Sequence, residues 1–240
     1  MRFLIFGGGG LIARHFARNA SKLDHKVVSV IRNDTHWADL EEMGATPTVL
    51  SLEDASIKDM EDLIKKEKPD AVIFSAGAGG KGGPERTRAV DYEGSVKVYE
   101  ACQGAGVKRL LLVSAFDVRD RSNPVPEWYT KEDIEACSRV WAAIGHYMQA
   151  KYDSEKALRE TKLDYTVLRP GHLLNEPAGG CHLGKTRAAS VSRETVANVL
   201  LASALDPQTI GLTFNVMDGT ESVDKEIERI GKEKVDVWTG

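Results

Sequence analysis

A tyrosine and a lysine four residues apart form the first pair in this chain that could do chemistry. Tyr147 and Lys151 stand in the segment YMQAK, and this spacing puts both side chains on one face of a helix. An ammonium beside a phenol favours the phenolate and so lowers the phenol pKa. Such a tyrosine can act as a general acid that protonates a carbonyl oxygen while hydride reaches the carbon. Ser114, at the end of the apolar run KRLLLVS, adds a hydroxyl that could hold the same oxygen.

A second pair, Tyr152 and Lys156, repeats this spacing five residues later. The two pairs cannot share a helix face, because five residues do not make a whole number of helical turns. At most one pair can therefore be the active pair. The alternative interpretation is that one tyrosine packs against the core and that both lysines are solvated.

Four consecutive glycines follow the first apolar run of the chain. Residues 7–13 (GGGGLIA) stand between a predicted strand over residues 2–6 and a predicted helix that starts near Leu11. A tight turn and the close approach of a pyrophosphate both require glycine, and the small Ala13 lets helix and strand pack closely. The free N–H groups at the start of the helix favour an anion. In this context the loop predicts a dinucleotide site.

The residue after the second predicted strand bears on which dinucleotide is bound. An NAD site usually has an acidic residue there for the ribose 2′-hydroxyl, whereas this strand, residues 26–31, is followed by Arg32. A guanidinium matches a 2′-phosphate in charge and geometry. The sequence therefore favours NADP over NAD. The alternative is that Arg32 is a solvated arginine paired with Asp34.

Strands and helices that alternate along the chain must position these residues. Strands are predicted at residues 2–6, 26–31, 47–50, 71–75, 108–114, 165–168 and 213–217. Helices are predicted near residues 11–23, 35–43, 56–66, 85–105, 130–160 with a break near Gly145, and 193–205, with a charged helix and tail at the end. Residues 117–126 and 177–189 are predicted loops.

This alternation predicts an α/β fold, namely a Rossmann-like doubly wound parallel sheet. We expect a single NAD(P)-binding domain over residues 1–240, with an insertion at 117–145. Residues 172–240 are expected to form a small C-terminal substrate-binding lobe. Ligands of such sheets bind at the carboxyl ends of the strands.

Composition excludes several other classes of protein. The 240 residues carry a formal charge of −4, which gives no electrostatic footprint for nucleic acid or an anionic membrane. No run approaches the roughly 18 apolar residues of a membrane span. The three cysteines form no CxxC motif, and the histidines show no metal-binding spacing. We expect a cytoplasmic protein without a metal whose partner is a small-molecule substrate; the oligomeric state stays open.

Motifs along nearly the whole chain resemble the atypical short-chain dehydrogenases/reductases of the NAD(P)-binding, NmrA-like type. The matching segments are residues 7–13, 28–33, 71–77, 90–92 (VDY), 107–114, 147–151, 163–171 (LDYTVLRPG) and 192–197 (SRETVA). The family pattern Y-x-x-A-K aligns with Tyr147 and Lys151. The resemblance therefore favours this pair over Tyr152 and Lys156.

The resemblance also implies roles for individual residues. The implied cofactor contacts, from the pyrophosphate to the adenosine and then to the nicotinamide end, are Gly7, Gly10, Leu11, Ile12, Arg32, Leu52, Ser75, Ala76, Gly77, Lys151, Pro170, Gly171 and His172. Ser114 and Tyr147 would face the substrate.

Three functions are compatible with these residues. The leading hypothesis is an NADP-dependent oxidoreductase that transfers hydride between nicotinamide and a small carbonyl or alcohol substrate. In it Tyr147 is the acid/base, Lys151 tunes its pKa and anchors the ribose, and Ser114 holds the oxygen. The alternatives are a dinucleotide-binding redox sensor without turnover, and an NAD(P)-dependent epimerase or isomerase.

Overall fold

A computed structural model of the protein describes residues 1–79 and 82–240. Its strands, numbered in chain order, are β1 (Arg2–Phe6), β2 (Lys26–Ile31), β3 (Ala45–Val49), β4 (Ala71–Phe74), β5 (Arg109–Val113), β6 (Asp164–Pro170), β7 (His172–Leu174), β8 (Gly180–Gly184), β9 (Ser190–Ser192) and β10 (Thr213–Gly219). Its α-helices are α1 (Leu11–Ser21), α2 (Trp37–Glu42), α3 (Ile57–Glu67), α4 (Gly83–Thr87), α5 (Gly94–Ala105), α6 (Lys131–Arg159), α7 (Arg193–Leu205) and α8 (Val223–Glu233).

Eight strands form one sheet in the order β3-β2-β1-β4-β5-β6-β10-β8. All neighbouring pairs are parallel except β10 and β8, which are antiparallel. The central strands are continuous apolar runs because helices cover both faces of the sheet. The α/β Rossmann-like fold that the sequence predicted is confirmed.

The strand order reverses between β1 and β4, and this reversal creates the crevice where such sheets bind ligands. From β1 the chain first builds outward through β2 and β3. It then returns to place β4 on the other side of β1 and continues through β5 and β6. Both the glycine loop after β1 and the loop after β4 therefore open into this crevice.

Two sequence predictions in the second half of the chain are wrong. Strand β6 does not stop at Arg169 but includes Pro170, which pairs with Val216 of β10. Proline has no N–H to donate within a sheet. It is tolerated here because its carbonyl oxygen makes the hydrogen bond, accepting from the Phe116 N–H at 2.9 Å. The predicted loop at 177–189 contains β8, which forms an edge of the main sheet and buries Cys181.

Helix α6 bends where the sequence predicted a break. Ile144, one residue before Gly145, has non-helical dihedral angles (φ −134°, ψ 35°). Beyond this bend the helix buries a polar face that includes Lys151, Ser154 and Glu155. The bend thus lets the second half of α6 lie against the sheet.

Residues 172–240 are not separate from the main sheet. They supply β10 and β8 to it, and they also form a small parallel sheet of β7 and β9. Within the described part of the chain, every helix falls short of the length and apolar character that crossing a bilayer demands.

Candidate active site

The turn after β1 requires glycine at Gly7 for two reasons. Its φ is +84°, in the left-handed region, and an added Cβ would lie 2.5 Å from the Cα of Ala76. At Gly8 an added Cβ would lie 2.6 Å from the Cβ of Ser29. The loop therefore passes close over β2 and the end of β4, and only a chain without side chains fits there.

Helix α1 begins at the end of this turn with free backbone donors. Its N-cap is Gly10, and no side chain caps its first N–H groups. Ile12 has its side chain in the core, so only its backbone can serve the loop. An uncapped helix start behind a glycine turn suits the phosphates of a dinucleotide. The residues present here fit an NAD(P) cofactor.

A groove of about 780 Å³ runs from this turn across the carboxyl ends of β1, β2 and β4. Most of the residues for which cofactor contacts were predicted line it: Gly7, Gly10, Leu11, Arg32, Leu52, Ser75, Ala76 and Gly77. The structure therefore brings the predicted pyrophosphate, adenosine and ribose residues into one continuous groove.

The adenosine end of the groove is basic but contains one carboxylate. Arg32 pairs with Glu53 at 3.7 Å, not with Asp34, and Arg86 bonds to the same carboxylate at 2.8 Å. The hydrogen bond from Arg86 holds the pKa of Glu53 below its usual value, with a smaller effect from the charge of Arg32. Glu53 and Arg86 were missed by sequence reasoning, because only the fold brings them beside Arg32.

A second cavity, of about 530 Å³, lies next to the groove. Five residues predicted to meet substrate or nicotinamide line it: Ser114, Tyr147, Pro170, Gly171 and His172. Most of the other lining residues are apolar, among them Val140, Ile144, Met148 and Leu173. The cavity thus offers an apolar space with one phenol facing it.

Lys151 connects the groove and the cavity. Its Nζ lies 3.2 Å from the carbonyl oxygen of Ala76, which lines the groove, and 5.7 Å from the ring centroid of Tyr147, which lines the cavity. Its ion-pair partner is Asp91, at 3.0 Å. Burial is the largest single influence and would lower the pKa of Lys151. The charge and hydrogen bond of Asp91, with smaller contributions from Tyr147 and Tyr99, together outweigh it and raise the pKa, so the ammonium stays charged.

The phenol of Tyr147 differs from the prediction in its ionisation. Burial raises its pKa by more than the nearby Lys151 ammonium lowers it, and the charge of Asp91 raises it further. The sequence predicted a lowered pKa because spacing shows the lysine but neither the burial nor the buried aspartate. Tyr147 is accordingly a protonated phenol at neutral pH.

Asp91 is a site residue whose role the sequence did not reveal. It is fully buried in a π-helical segment, Arg88–Glu93, and its Oδ2 accepts from the Ala78 N–H at 2.9 Å. One carboxylate therefore fixes both Lys151 and the loop after β4. The sequence signal that could have found Asp91 is an acidic residue on the apolar face of a predicted helix. The π-helical turn around it is a second signal, visible only in the structure, because such turns are frequent at functional sites.

The hydroxyl of Ser114 is engaged inside the protein. It donates to Glu155 at 2.5 Å, and Arg169 forms a forked ion pair with the same carboxylate, at 2.7 Å from Nη2. The single proton of Ser114 therefore points to Glu155, and the cavity side sees its lone pairs. Glu155 could have been noticed as the next residue on the face of Tyr147 and Lys151.

The second tyrosine–lysine pair lies elsewhere. Tyr152 stacks on Trp238 of the C-terminal tail, with ring centroids 5.7 Å apart and the planes inclined by 4°. Lys156 is exposed to solvent. Of the two pairs, the structure thus places only Tyr147 and Lys151 beside the cavity and the groove.

A Rossmann sheet with a glycine turn, a basic groove and an adjoining apolar cavity defines a dinucleotide-binding protein. Residues 7–207 match the model of a family described as NAD(P)H-binding, and the chain belongs to that family. Together with the relatives and solved structures that follow, this match confirms the resemblance to the atypical short-chain dehydrogenases/reductases of the NAD(P)-binding, NmrA-like type.

Named relatives support the same family. The UPF0659 protein C216.03 of Schizosaccharomyces pombe is 43% identical over 94% of this chain and 93% of its own length. The Bacillus subtilis protein named uncharacterized sugar epimerase YhfK is 30% identical, over 95% of this chain and 99% of its own. These relatives match the present chain over essentially its whole length.

Solved structures share the fold. A Bacillus halodurans protein assigned provisionally to the NAD-dependent epimerases/dehydratases is 28% identical, with a TM-score of 0.80 over 95% of this chain and 99% of its own. A short-chain dehydrogenase/reductase of Veillonella parvula in complex with NADP is 20% identical, with a TM-score of 0.68 over 92% of this chain and 97% of its own. The protein thus belongs to the NAD(P)H-binding family and shares its fold with these solved structures.

Proposed function

We propose that the protein is an NADPH-dependent reductase of small carbonyl compounds, which also carries out the reverse oxidation of the alcohols. The observation that carries this proposal is the position of Lys151, which contacts the groove through Ala76 and the apolar cavity through Tyr147. A proton donor and a cofactor site thereby meet at one point. When bound, NADPH supplies the hydride for reduction.

The residues around this point divide the work. Tyr147 gives its proton to the carbonyl oxygen of the substrate, and its raised pKa keeps that proton available at neutral pH. Lys151 orients the ribose and stabilises the phenolate that remains, while Asp91 holds Lys151 in place. The apolar walls lower the effective dielectric constant around these groups, which strengthens their electrostatic interactions.

The choice of NADP over NAD is part of the proposal. Arg32 and Arg86 both line the groove beyond β2, where Glu53 is the one carboxylate among the described lining residues and pairs with both. A 2′-phosphate would be a further acceptor for the Arg32 guanidinium, whose charge and fork geometry suit it. The NADP complex of the Veillonella parvula protein, which has the same fold, is consistent with this choice.

Turnover with two tyrosine variants tests the function. NADPH oxidation is followed with a panel of aldehydes, ketones and quinones for the wild type, Tyr147→Phe and the matched control Tyr152→Phe. We expect Tyr147→Phe to lower kcat by about 100-fold or more, as for loss of a general acid, with unchanged NADPH affinity. Tyr152→Phe should keep its activity, since Tyr152 stacks on Trp238. Equal activity of both variants would refute the role of Tyr147.

A redox sensor is the second candidate, and the engaged hydroxyl of Ser114 favours it. Because the Ser114 hydroxyl donates its hydrogen bond to Glu155, it has no proton left to donate to a substrate oxygen. Tight NADPH binding with no turnover of any compound in the panel would support the sensor. Interconversion of epimers without net NADPH oxidation would instead support an epimerase, the activity in the name of the Bacillus subtilis relative.

A further inference from the structure

An arginine that lines the apolar cavity uses only one of its guanidinium nitrogens in hydrogen bonds with the rest of the described chain. Arg193, the first residue of α7, lines the cavity together with Leu173 and the segment after β6. It donates to the carbonyl oxygen of Leu173 at 3.1 Å and to Oδ1 of Asn175 at 2.7 Å. Both bonds use the same nitrogen, Nη1.

The other side of this guanidinium is open. Within residues 1–79 and 82–240, Nε and Nη2 of Arg193 make no hydrogen bond, and no carboxylate forms an ion pair with it. These two nitrogens carry three N–H donors, arranged as the fork that fits the two oxygens of a carboxylate. A guanidinium remains charged at every physiological pH, so this fork has a permanent positive charge.

The cavity does not neutralise this charge. Asp117 also lines it, but its carboxylate accepts from Arg119 at 2.8 Å and from the Trp141 indole at 3.0 Å. Asp117 and Arg119 are both buried, although they lie in the loop that the sequence predicted at residues 117–126. The remaining titratable lining groups are Tyr147, His172 and Cys137, and burial raises the pKa of the Cys137 thiol to about 12. The cavity is therefore apolar with a net positive end.

We infer that the substrate has an apolar body and a carboxylate, and that the carboxylate binds Nε and Nη2 of Arg193. This inference rests on the proposed function, since it places the carbonyl of the same molecule at Tyr147. The apolar walls strengthen the ion pair because the effective dielectric constant there is lower than in water. An ester or amide of the same acid keeps the apolar contacts and loses the charge.

Binding to the NADPH-loaded protein tests the inference apart from catalysis. Calorimetry compares benzoylpropionate and benzoylbutyrate with their methyl esters, which have the same aryl ketone. For the wild type we expect whichever of the two acids binds more tightly to have an affinity about tenfold or more above that of its own methyl ester. Arg193→Gln should abolish this preference and leave ester binding and NADPH affinity unchanged, and Arg193→Lys should keep part of it because it keeps the charge.

Two further variants control for structural effects. Arg187→Gln removes a nearby arginine that pairs with Asp133 and is not part of the cavity lining, so the acid/ester ratio should stay unchanged. Asn175→Ala removes one of the two Nη1 bonds and should also preserve most of the ratio. If Asn175→Ala lost the preference as fully as Arg193→Gln while Arg193→Lys kept none of it, local packing would explain the effect and the inference would fail.

The outcomes separate this inference from the proposed function. Equal affinity for acid and ester, failure of both acids to bind, or a preference that survives Arg193→Gln would overturn the inference. If the acids bind through Arg193 but are not reduced, the reductase proposal fails and the carboxylate site stands. If ketones are reduced through Tyr147 with no acid preference, the reductase proposal stands and the carboxylate site fails.

Discussion

The groove and the apolar cavity lie side by side but are built in different ways. The end of the groove beside the glycine turn is formed by backbone that follows β1 and β4, and its shape depends on the absence of a side chain at Gly7, whereas side chains such as Arg32 line its other end. The cavity is formed by side chains from α6 and from the segments after β5 and β6. A site made of backbone can bind the constant part of a cofactor, whereas a site made of side chains can change its ligand by substitution.

The groove and the cavity also differ in how their charged groups are paired. In the groove, Arg32 and Arg86 act together and share Glu53. In the cavity, the carboxylate of Asp117 forms an ion pair with Arg119, and Arg193 is among the lining residues of an apolar space. Lys151 lies between the groove and the cavity, and its ion pair with Asp91 holds it there.

The largest loss of stability and of NADPH binding is expected at Gly7, where the groove has no room for a side chain. Gly7→Ala adds a Cβ within 2.5 Å of the Ala76 backbone at a φ of +84°. It should lower the free energy of unfolding by about 4 kcal/mol or more and abolish measurable NADPH binding. Gly179→Ala is the matched control, because nothing lies within 4 Å of an added Cβ there. Thermal unfolding and NADPH titration measure both, and equal behaviour of the two variants would contradict a groove built by close backbone approach.

The next largest loss of stability is expected at Lys151, between the groove and the cavity. Lys151→Met leaves Asp91 buried without its partner and should lower the free energy of unfolding by about 3 kcal/mol at neutral pH. Because the pKa of Lys151 is raised in the folded state, the pair stabilises the protein fully below the unfolded lysine pKa of about 10.4, and this contribution is lost as pH rises through the folded value. Denaturant unfolding at pH 7 and above pH 10 measures this. The control is Lys156→Met on the exposed face of α6, and an equal loss in it would show that the ion pair is not the cause.

A smaller effect tests the basic end of the groove. Arg32→Glu should weaken NADPH binding by about tenfold or more while changing NADH affinity much less, since only NADPH has the 2′-phosphate. Fluorescence titration of both nucleotides gives the ratio. Arg88→Glu, on the exposed side of the π-helical segment and outside the groove lining, is the control. Equal losses for the two nucleotides would rule out the 2′-phosphate role of Arg32.

The smallest effect belongs to the hydroxyl at the cavity wall. Ser114→Ala removes one hydrogen bond to Glu155 but keeps the fork from Arg169, so the free energy of unfolding should fall by about 1 kcal/mol. If Ser114 only positions Glu155, kcat should change by less than about threefold, well under a kcal/mol. A 100-fold loss of kcat with normal NADPH affinity would show that the hydroxyl turns to the substrate and that the cavity supplies more chemistry than Tyr147.

Much of the fold could be predicted because its signals are local. The bounds of β1, β2 and α7 follow from apolar runs and periodicity, and the bend of α6 was predicted within one residue of Ile144. The edge strand β8 was missed because its glycines and histidine give no apolar run; only the β10 neighbour makes it a strand. Pro170 looked like a strand end because the sequence does not show which backbone groups a strand uses.

Local patterns in the sequence predicted the glycine turn, the alternation of strands and helices, and two candidate pairs, Tyr147 with Lys151 and Tyr152 with Lys156. Each of these patterns depends on residues within a few positions of one another. Contacts between residues far apart in the chain form only in the folded protein, and no local pattern showed them. The tertiary structure placed Asp91 against Lys151, Glu53 against Arg32 and Glu155 against Ser114. These contacts set charge, burial and proton positions. Those properties belong to the space around a side chain, which no local spacing encodes.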